Sequence, residues 1–268
     1  MNDTNPLKPW MLEEITLGDV RQAEFQVAML PMGATEPHNL HLPYGTDSIE
    51  GRELANLCCE RAWELGGRVA QLPVMPYGTE SNLREFPLAM NLRPTTLFAI
   101  LRDLVDTLEQ SGIRKLLIFN SHGGNDFKPF LREIYGESQV QVFLCNWYQM
   151  IGDVALKVCE HQEDHAGEME TSLIMSFRPD LVRYVKEGKL AADAGSRAEL
   201  RFEALRKGWV GLSRPWHLLT TNSGSGNPHC ATAAKGEKLT RAIVDRIGPF
   251  IAELSKSSID ASFPFVSQ

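Results

Sequence analysis

Between Leu30 and Ser48 the chain reads L-P-M-G-A-T-E-P-H-N-L-H-L-P-Y-G-T-D-S, which sets Glu36, His38, His41 and Asp47 among Pro31, Gly33, Pro37, Pro43 and Gly45. Carboxylates and imidazoles form a donor set for a divalent cation, and Pro and Gly at this density forbid regular structure. Glu36 and His38 are two residues apart, so in an extended segment they point to one side, and Asp47 returns to them after the proline-rich turn. His41 reads better as a histidine that holds the loop than as a ligand.

Two later stretches carry matching chemistry. In S-H-G-G-N, His122 precedes Gly123 and Gly124, whose missing side chains let backbone approach closely. In D-H-A-G-E-M-E-T-S, from Asp164 to Ser172, a helix is expected to begin. On a helical turn His165 and Glu168 would share a face, and Glu170 would project elsewhere. Acidic residues in a first turn also answer the helix dipole with no metal involved. Three loops that offer His and carboxylate but no thiolate favour one or two borderline or hard divalent ions in a catalytic centre. A structural Cys-type zinc site is disfavoured. Serine or cysteine nucleophile motifs and the G-x-G-x-x-G and P-loop phosphate patterns are missing from the sequence.

Strands and helices must carry these loops. Apolar runs at Phe25–Leu30, Arg68–Val74, Lys115–Asn120 and Gln139–Cys145 read as buried strands. Helices are expected over 48–65, from Pro94 to Gly112, over 126–136, after Asp164 towards Leu181, and over 232–254. This alternation predicts a mostly parallel sheet with right-handed crossovers, and ligands at the carboxyl ends of its strands. Residues 1–24 read as an amphipathic lead-in, and 183–206 as solvated helix and connector. The irregular stretch from Pro76 to Asn91 is long enough to expect a functional loop. Trp147 and Tyr148, just beyond the fourth strand, are candidates for an apolar wall of the site, with core packing the other reading for Trp147.

At 268 residues with 43% hydrophobic and 23% charged positions, a single α/β domain spanning 1–268 is expected. A net charge of −7 and a pI near 5.6 argue against a nucleic-acid surface. No apolar stretch has the length of a membrane span and no signal-peptide core follows the N-terminus. Five cysteines, an odd number without a zinc or disulfide pattern, fit a reducing cytoplasm.

The three motifs G-A-T-E-P-H-N-L-H-L-P-Y-G-T-D, S-H-G-G-N and H-A-G-E-M-E-T-S, in this order and spacing, resemble the creatininase (creatinine amidohydrolase) family over roughly residues 25–255. The resemblance implies a three-layer α/β/α fold, a small-molecule substrate, a homohexamer, and two divalent ions per chain, Zn or Mn with Fe as a further choice. By motif position, Glu36, Asp47 and His122 would hold one ion, and His38 and Asp47 the second, with Asp47 bridging. True creatininases follow the second-motif histidine with a tyrosine and a metal-binding glutamate, where this chain has Gly123 and Gly124. By resemblance to the H-G-G-N members, which include formylaminopyrimidine deformylases and a peptidase of peptide-cofactor maturation, Glu168 is the expected replacement. This departure argues against creatinine as the substrate.

The expected reaction is hydrolysis of a carbon–nitrogen bond in an amide, formamide or cyclic amide by a metal-bridged hydroxide. His165 is the expected proton donor to the leaving amine, because imidazole titrates near neutral pH, with Glu170 orienting it through its other ring nitrogen. A lactonase or peptidase on the same centre, or a metal-binding subunit without turnover, are the alternatives.

Overall fold

The computed structural model describes residues 7–266. The first six residues of the expected lead-in lie outside them. In chain order the elements are α1 (Leu17–Ala23), β1 (Val27–Met32), α2 (Thr46–Glu64), β2 (Val69–Gln71), α3 (Pro94–Gln110), β3 (Lys115–Asn120), α4 (Lys128–Ile134), β4 (Gln141–Asn146), α5 (Trp147–Met150), α6 (Gly152–Val158), α7 (Glu168–Phe177), α8 (Glu203–Arg206), α9 (Trp216–Leu219) and α10 (Ala233–Lys256).

The four strands pair in the order β2-β1-β3-β4, all parallel. Every residue of β1 and β3 is buried, as a sheet covered on both faces requires. Alternate residues feed two separate cores. Val27, Met29, Leu117 and Phe119 pack with α2, α7 and α10, whereas Ala28, Leu30, Leu116 and Ile118 meet Leu97, Leu101 and Val105 of α3 and Phe130 of α4. The result is the expected three-layer α/β/α arrangement. The middle layer ends evenly, because Met32 pairs with Asn120 and Asn120 with Asn146, so the loops after β1, β3 and β4 leave from one rim.

The first crossover leaves its strand through a tightly seated turn. Gly33 leaves β1 so close to α2 that an added Cβ would lie 2.6 Å from Ser48 Oγ and 2.7 Å from its backbone. Only glycine lets the first strand and the first long helix meet there. Residues 183–202 carry less helix than expected, with one 3₁₀ turn at Lys186–Gly188 before α8. Their charged, weakly apolar pattern offers no continuous face to bury, so the chain runs as connector. Among the described residues, no helix is long and apolar enough to cross a membrane.

Candidate metal centre

The loop after β1 closes on itself before α2 begins. Glu36 N–H donates to Tyr44 O at 3.1 Å, His38 bridges to Leu42, and Asn39 takes the left-handed conformation at φ 53° that the tight turn needs. Asp47 then sits in the first turn of α2, where the helix dipole favours a carboxylate. The loop after β3 is tied down through Asn120: its Oδ1 accepts from His122 N–H at 3.2 Å and from Asn125 Nδ2 at 3.1 Å. Asn125 Oδ1 in turn accepts from Thr79 N–H at 3.0 Å, which brings the 76–91 segment over the strand ends.

These loops bring Glu36, His38, Asp47 and His122 together, all of them buried. Asp47 lies between the two histidines, with Oδ1 3.1 Å from His38 Nε2 and Oδ2 3.1 Å from His122 Nδ1. Glu36 Oε1 is 3.2 Å from His122 Nδ1 and 3.5 Å from His165 Nδ1. The candidate ligand atoms form three overlapping groups: Glu36, Asp47 and His122; His38, Asp47 and Glu170; and Glu36, His38 and His165.

The outward nitrogens of the three histidines settle which way each faces. His38 Nδ1 donates to Glu36 O at 3.0 Å, His122 Nε2 to Thr79 O at 3.1 Å, and His165 Nε2 to Pro37 O at 2.8 Å. A carbonyl oxygen only accepts, so each of these nitrogens carries the hydrogen, and each inward nitrogen turns a lone pair towards carboxylate oxygens. Lone pairs facing carboxylates repel unless a positive charge lies between them. Burial alone would lower the basicity of His38, but Asp47, Glu170 and Glu36 overcome it and push its pKa up to about 10. His122 is likewise raised well above its usual range by Glu36 and Asp47 against its burial. Glu36 Oε2 is buried with no hydrogen-bond donor. A protonated imidazole or a cation is what this geometry stabilises, and the N/O donor set fits Zn or Mn.

Three expectations are corrected. Glu168 is remote from the cluster: its Oε2 accepts from Glu160 N–H at 2.8 Å and His161 N–H at 3.0 Å, and its Oε1 pairs with Lys235. The helix begins at Glu168, after Ala166 at φ 52° and the N-cap Gly167, while His165 sits in an antiparallel bridge with Ser225. His165 and Glu168 therefore never share a helical face. Glu170, about 200° further round the helix from Glu168, reaches His38 and Asp47 instead. It does not orient His165, whose outward N–H goes to Pro37 O; Glu170 Oε2 accepts from Ala166 N–H.

Gly124 shows why the replacement must come from another element. A Cβ there would stand 2.3 Å from Thr79 O and 2.4 Å from His122 Nε2, so the position holds no side chain. His41 lies outside the cluster, its Nε2 2.8 Å from Thr171 Oγ1, and joins the first loop to α7. Trp147 is buried in the core with Nε1 donating to Ser121 Oγ at 2.8 Å, and neither it nor Tyr148 lines the cleft over the cluster.

That cleft, of about 310 Å³, is walled by Leu83 and Trp216, with Ser81, Asn82, Ser213 and Arg214 around its mouth. Sequence reasoning missed Trp216 and Arg214, which lie in an aperiodic stretch. It also missed three acids, the fully buried Glu50 and Glu80 and the half-buried Glu163. Both carboxylate oxygens of Glu80 lack a hydrogen-bond partner, and burial, reinforced by Glu36 and Asp47, pushes its pKa up to about 8. Glu163 caps α7 by accepting from Met169 N–H at 2.6 Å and Glu170 N–H at 3.2 Å.

Comparison with known proteins agrees with this architecture. The family model described as creatinine amidohydrolase matches residues 13–251. A Bacteroides fragilis protein carrying the provisional name creatinine amidohydrolase is 34% identical, with a TM-score of 0.87 over 97% of this chain and 100% of that one. A Mycobacterium ulcerans mycofactocin precursor peptide peptidase is 26% identical over 231 residues, covering 81% of each chain. A manganese form of creatininase shares the fold at 21% identity, with a TM-score of 0.70 over 92% of this chain and 99% of that one. With the family model spanning the sheet, all three loops and most of α10, the chain belongs to the creatininase family of amidohydrolases.

Proposed function

We propose that this protein is a metal-dependent amidohydrolase that cleaves a carbon–nitrogen bond of a small amide, formamide or cyclic amide. The observation that carries this reading is the set of three histidines, each donating outward to a backbone carbonyl and turning its free nitrogen onto Glu36, Asp47 or both. Glu36, Asp47 and His122 would hold one divalent ion, and His38, Asp47 and Glu170 a second, with Asp47 shared. When bound, such a pair lowers the pKa of water to about 7 and polarises a carbonyl.

The chain's own residues supply the rest. His165 lines the cleft with the lone pair of Nδ1 facing inward, placed to take a proton from the attacking water and pass it to the departing amine, and Pro37 O holds its ring in that orientation. Its edge-to-face contact with Trp216, ring centroids 5.3 Å apart, keeps water from the other side. A cleft near the small end of the range for ligand sites favours a small amide over a long peptide. The peptidase among the relatives keeps a short peptide as the second reading. A homohexamer belongs to the proposal, supported by the apolar side chains that Phe202, Trp209, Val210 and Leu212 expose. The five cysteines, all free thiols, support a reducing cytoplasm.

The test is a panel of formamides, cyclic ureides, N-acyl amino acids and lactones offered to protein reconstituted with Mn or Zn. Turnover of an amide, lost on chelation and in His165→Ala while metal content is retained, is expected. Hydrolysis of lactones alone, or none in the whole panel, would overturn the reading.

A further inference from the structure

Arg214 is the one lysine or arginine among the residues lining the cleft. It stands beside the metal cluster in a setting that fixes its orientation. Its guanidinium carbon lies 5.2 Å from the centre of the Trp216 ring, and Trp216 is itself buried against His165. Its Nη1 donates to Asp164 Oδ2 at 2.8 Å, and Asp164 directly precedes His165. The same Oδ2 also faces Arg197 Nη1 at 3.6 Å. Two guanidinium groups therefore share this one carboxylate. Arginine carries five N–H donors, and among the described residues the bond to Asp164 is the one hydrogen bond that Arg214 makes.

A fixed guanidinium with spare donors beside a hydrolytic centre is a carboxylate receiver, because its planar fork matches the two oxygens. Ser213 on its own segment and Ser81 and Asn82 across the cleft add neutral polar groups to the rim. A cleft of about 310 Å³ leaves no room for a long chain between that rim and the cluster, so anion and scissile bond belong to one small molecule.

We infer that Arg214 selects substrates that carry a free carboxylate a few bonds from the scissile amide, with N-acyl amino acids and their cyclic relatives as the class. This rests on the amidohydrolase reading above. The bland alternative is that Arg214 only ties the 211–215 segment to Asp164, and the two readings differ in what happens to a neutral substrate.

The experiment pairs N-acetyl- and N-formylglycine with their C-terminal amides, on metal-loaded wild type, Arg214→Ala and Arg214→Lys. Both kcat/KM and equilibrium binding by calorimetry are measured, and thermal unfolding confirms that the variants fold. Removing one charge-assisted hydrogen bond is expected to cost the carboxylates roughly 10- to 100-fold in both readouts. The neutral amides should change less than about 3-fold, and Arg214→Lys should recover part of the loss. An equal loss for both members of a pair, or none for either, would overturn the assignment. If wild type hydrolyses neither pair, these compounds are not amide substrates, and binding still decides the role of Arg214. A carboxylate preference lost in Arg214→Ala sustains it, and matched affinities overturn it.

Discussion

Glu168 and Glu170 lie two residues apart at the start of α7, and replacing each with alanine should produce opposite phenotypes. Glu168→Ala removes the carboxylate that answers Lys235 and two backbone N–H groups. The pair is sequestered, with Lys235 18% exposed and Glu168 not at all. Breaking a buried pair typically costs 3–5 kcal/mol, but Lys235 keeps Glu160 Oε1 at 3.0 Å and Cys230 O at 2.9 Å, which lowers its share to about 2. The two released N–H groups add about 0.5 kcal/mol each, since both are only partly buried and reach water. The sum, about 3 kcal/mol, corresponds to a fall in Tm of roughly 6–12 °C for a chain of this size. That fall should appear equally in chelated and metal-loaded protein, with metal content per chain unchanged. Glu170→Ala should lower the metal content by about one ion per chain and abolish turnover. In chelated protein it should cost little, because the Glu50 and Glu163 carboxylates lose a repelling neighbour. Metal analysis and thermal unfolding with and without chelator check both variants. Metal loss in Glu168→Ala without a metal-independent fall in Tm would refute the assignment of the two glutamates.

Two further outcomes follow from the same region. Gly124→Ala should release metal and lower Tm, read by metal analysis and calorimetry, because its Cβ would overlap both Thr79 O and His122 Nε2. Glu163 is held up to about 8 by burial, with Glu170 adding to the effect, so the folded state keeps a proton that the unfolded chain releases near 4.5. Stability should therefore decline as pH rises from about 4.5 to 8, and Glu163→Gln should flatten that slope in chelated protein, as followed by denaturant unfolding at several pH values.

Much of this architecture is legible in the sequence because it rests on strong local signals. The apolar run Lys115–Asn120 is β3 residue for residue, and Leu97, Leu101, Val105 and Leu108 form the buried face of α3. The candidate ligands after β1 and β3 could be singled out because proline and glycine restrict those loops. The 76–91 stretch, expected to be functional from its length, does roof the cleft with Ser81, Asn82 and Leu83. Legibility fails where position depends on a turn or on distant packing. Ala166 at positive φ resets the helical phase, and a periodicity count across it exchanges Glu168 for Glu170. Arg214 and Trp216 follow a connector without periodicity, and only the folded chain lays them against His165. Glu80 resembles any surface acid until its burial is known.

The carbonyls that aim the three histidines belong to Glu36, Pro37 and Thr79, and each is a main-chain group. No side-chain replacement can delete a main-chain acceptor, so imidazole orientation is insulated from ordinary point mutation and depends on the path of the loops. The residues around the cleft mouth are free to vary against that constant background. Such a division lets a lineage exchange one substrate for another while its imidazole geometry stays in place, and relatives named for a cyclic amide and for a peptide are what it would leave behind.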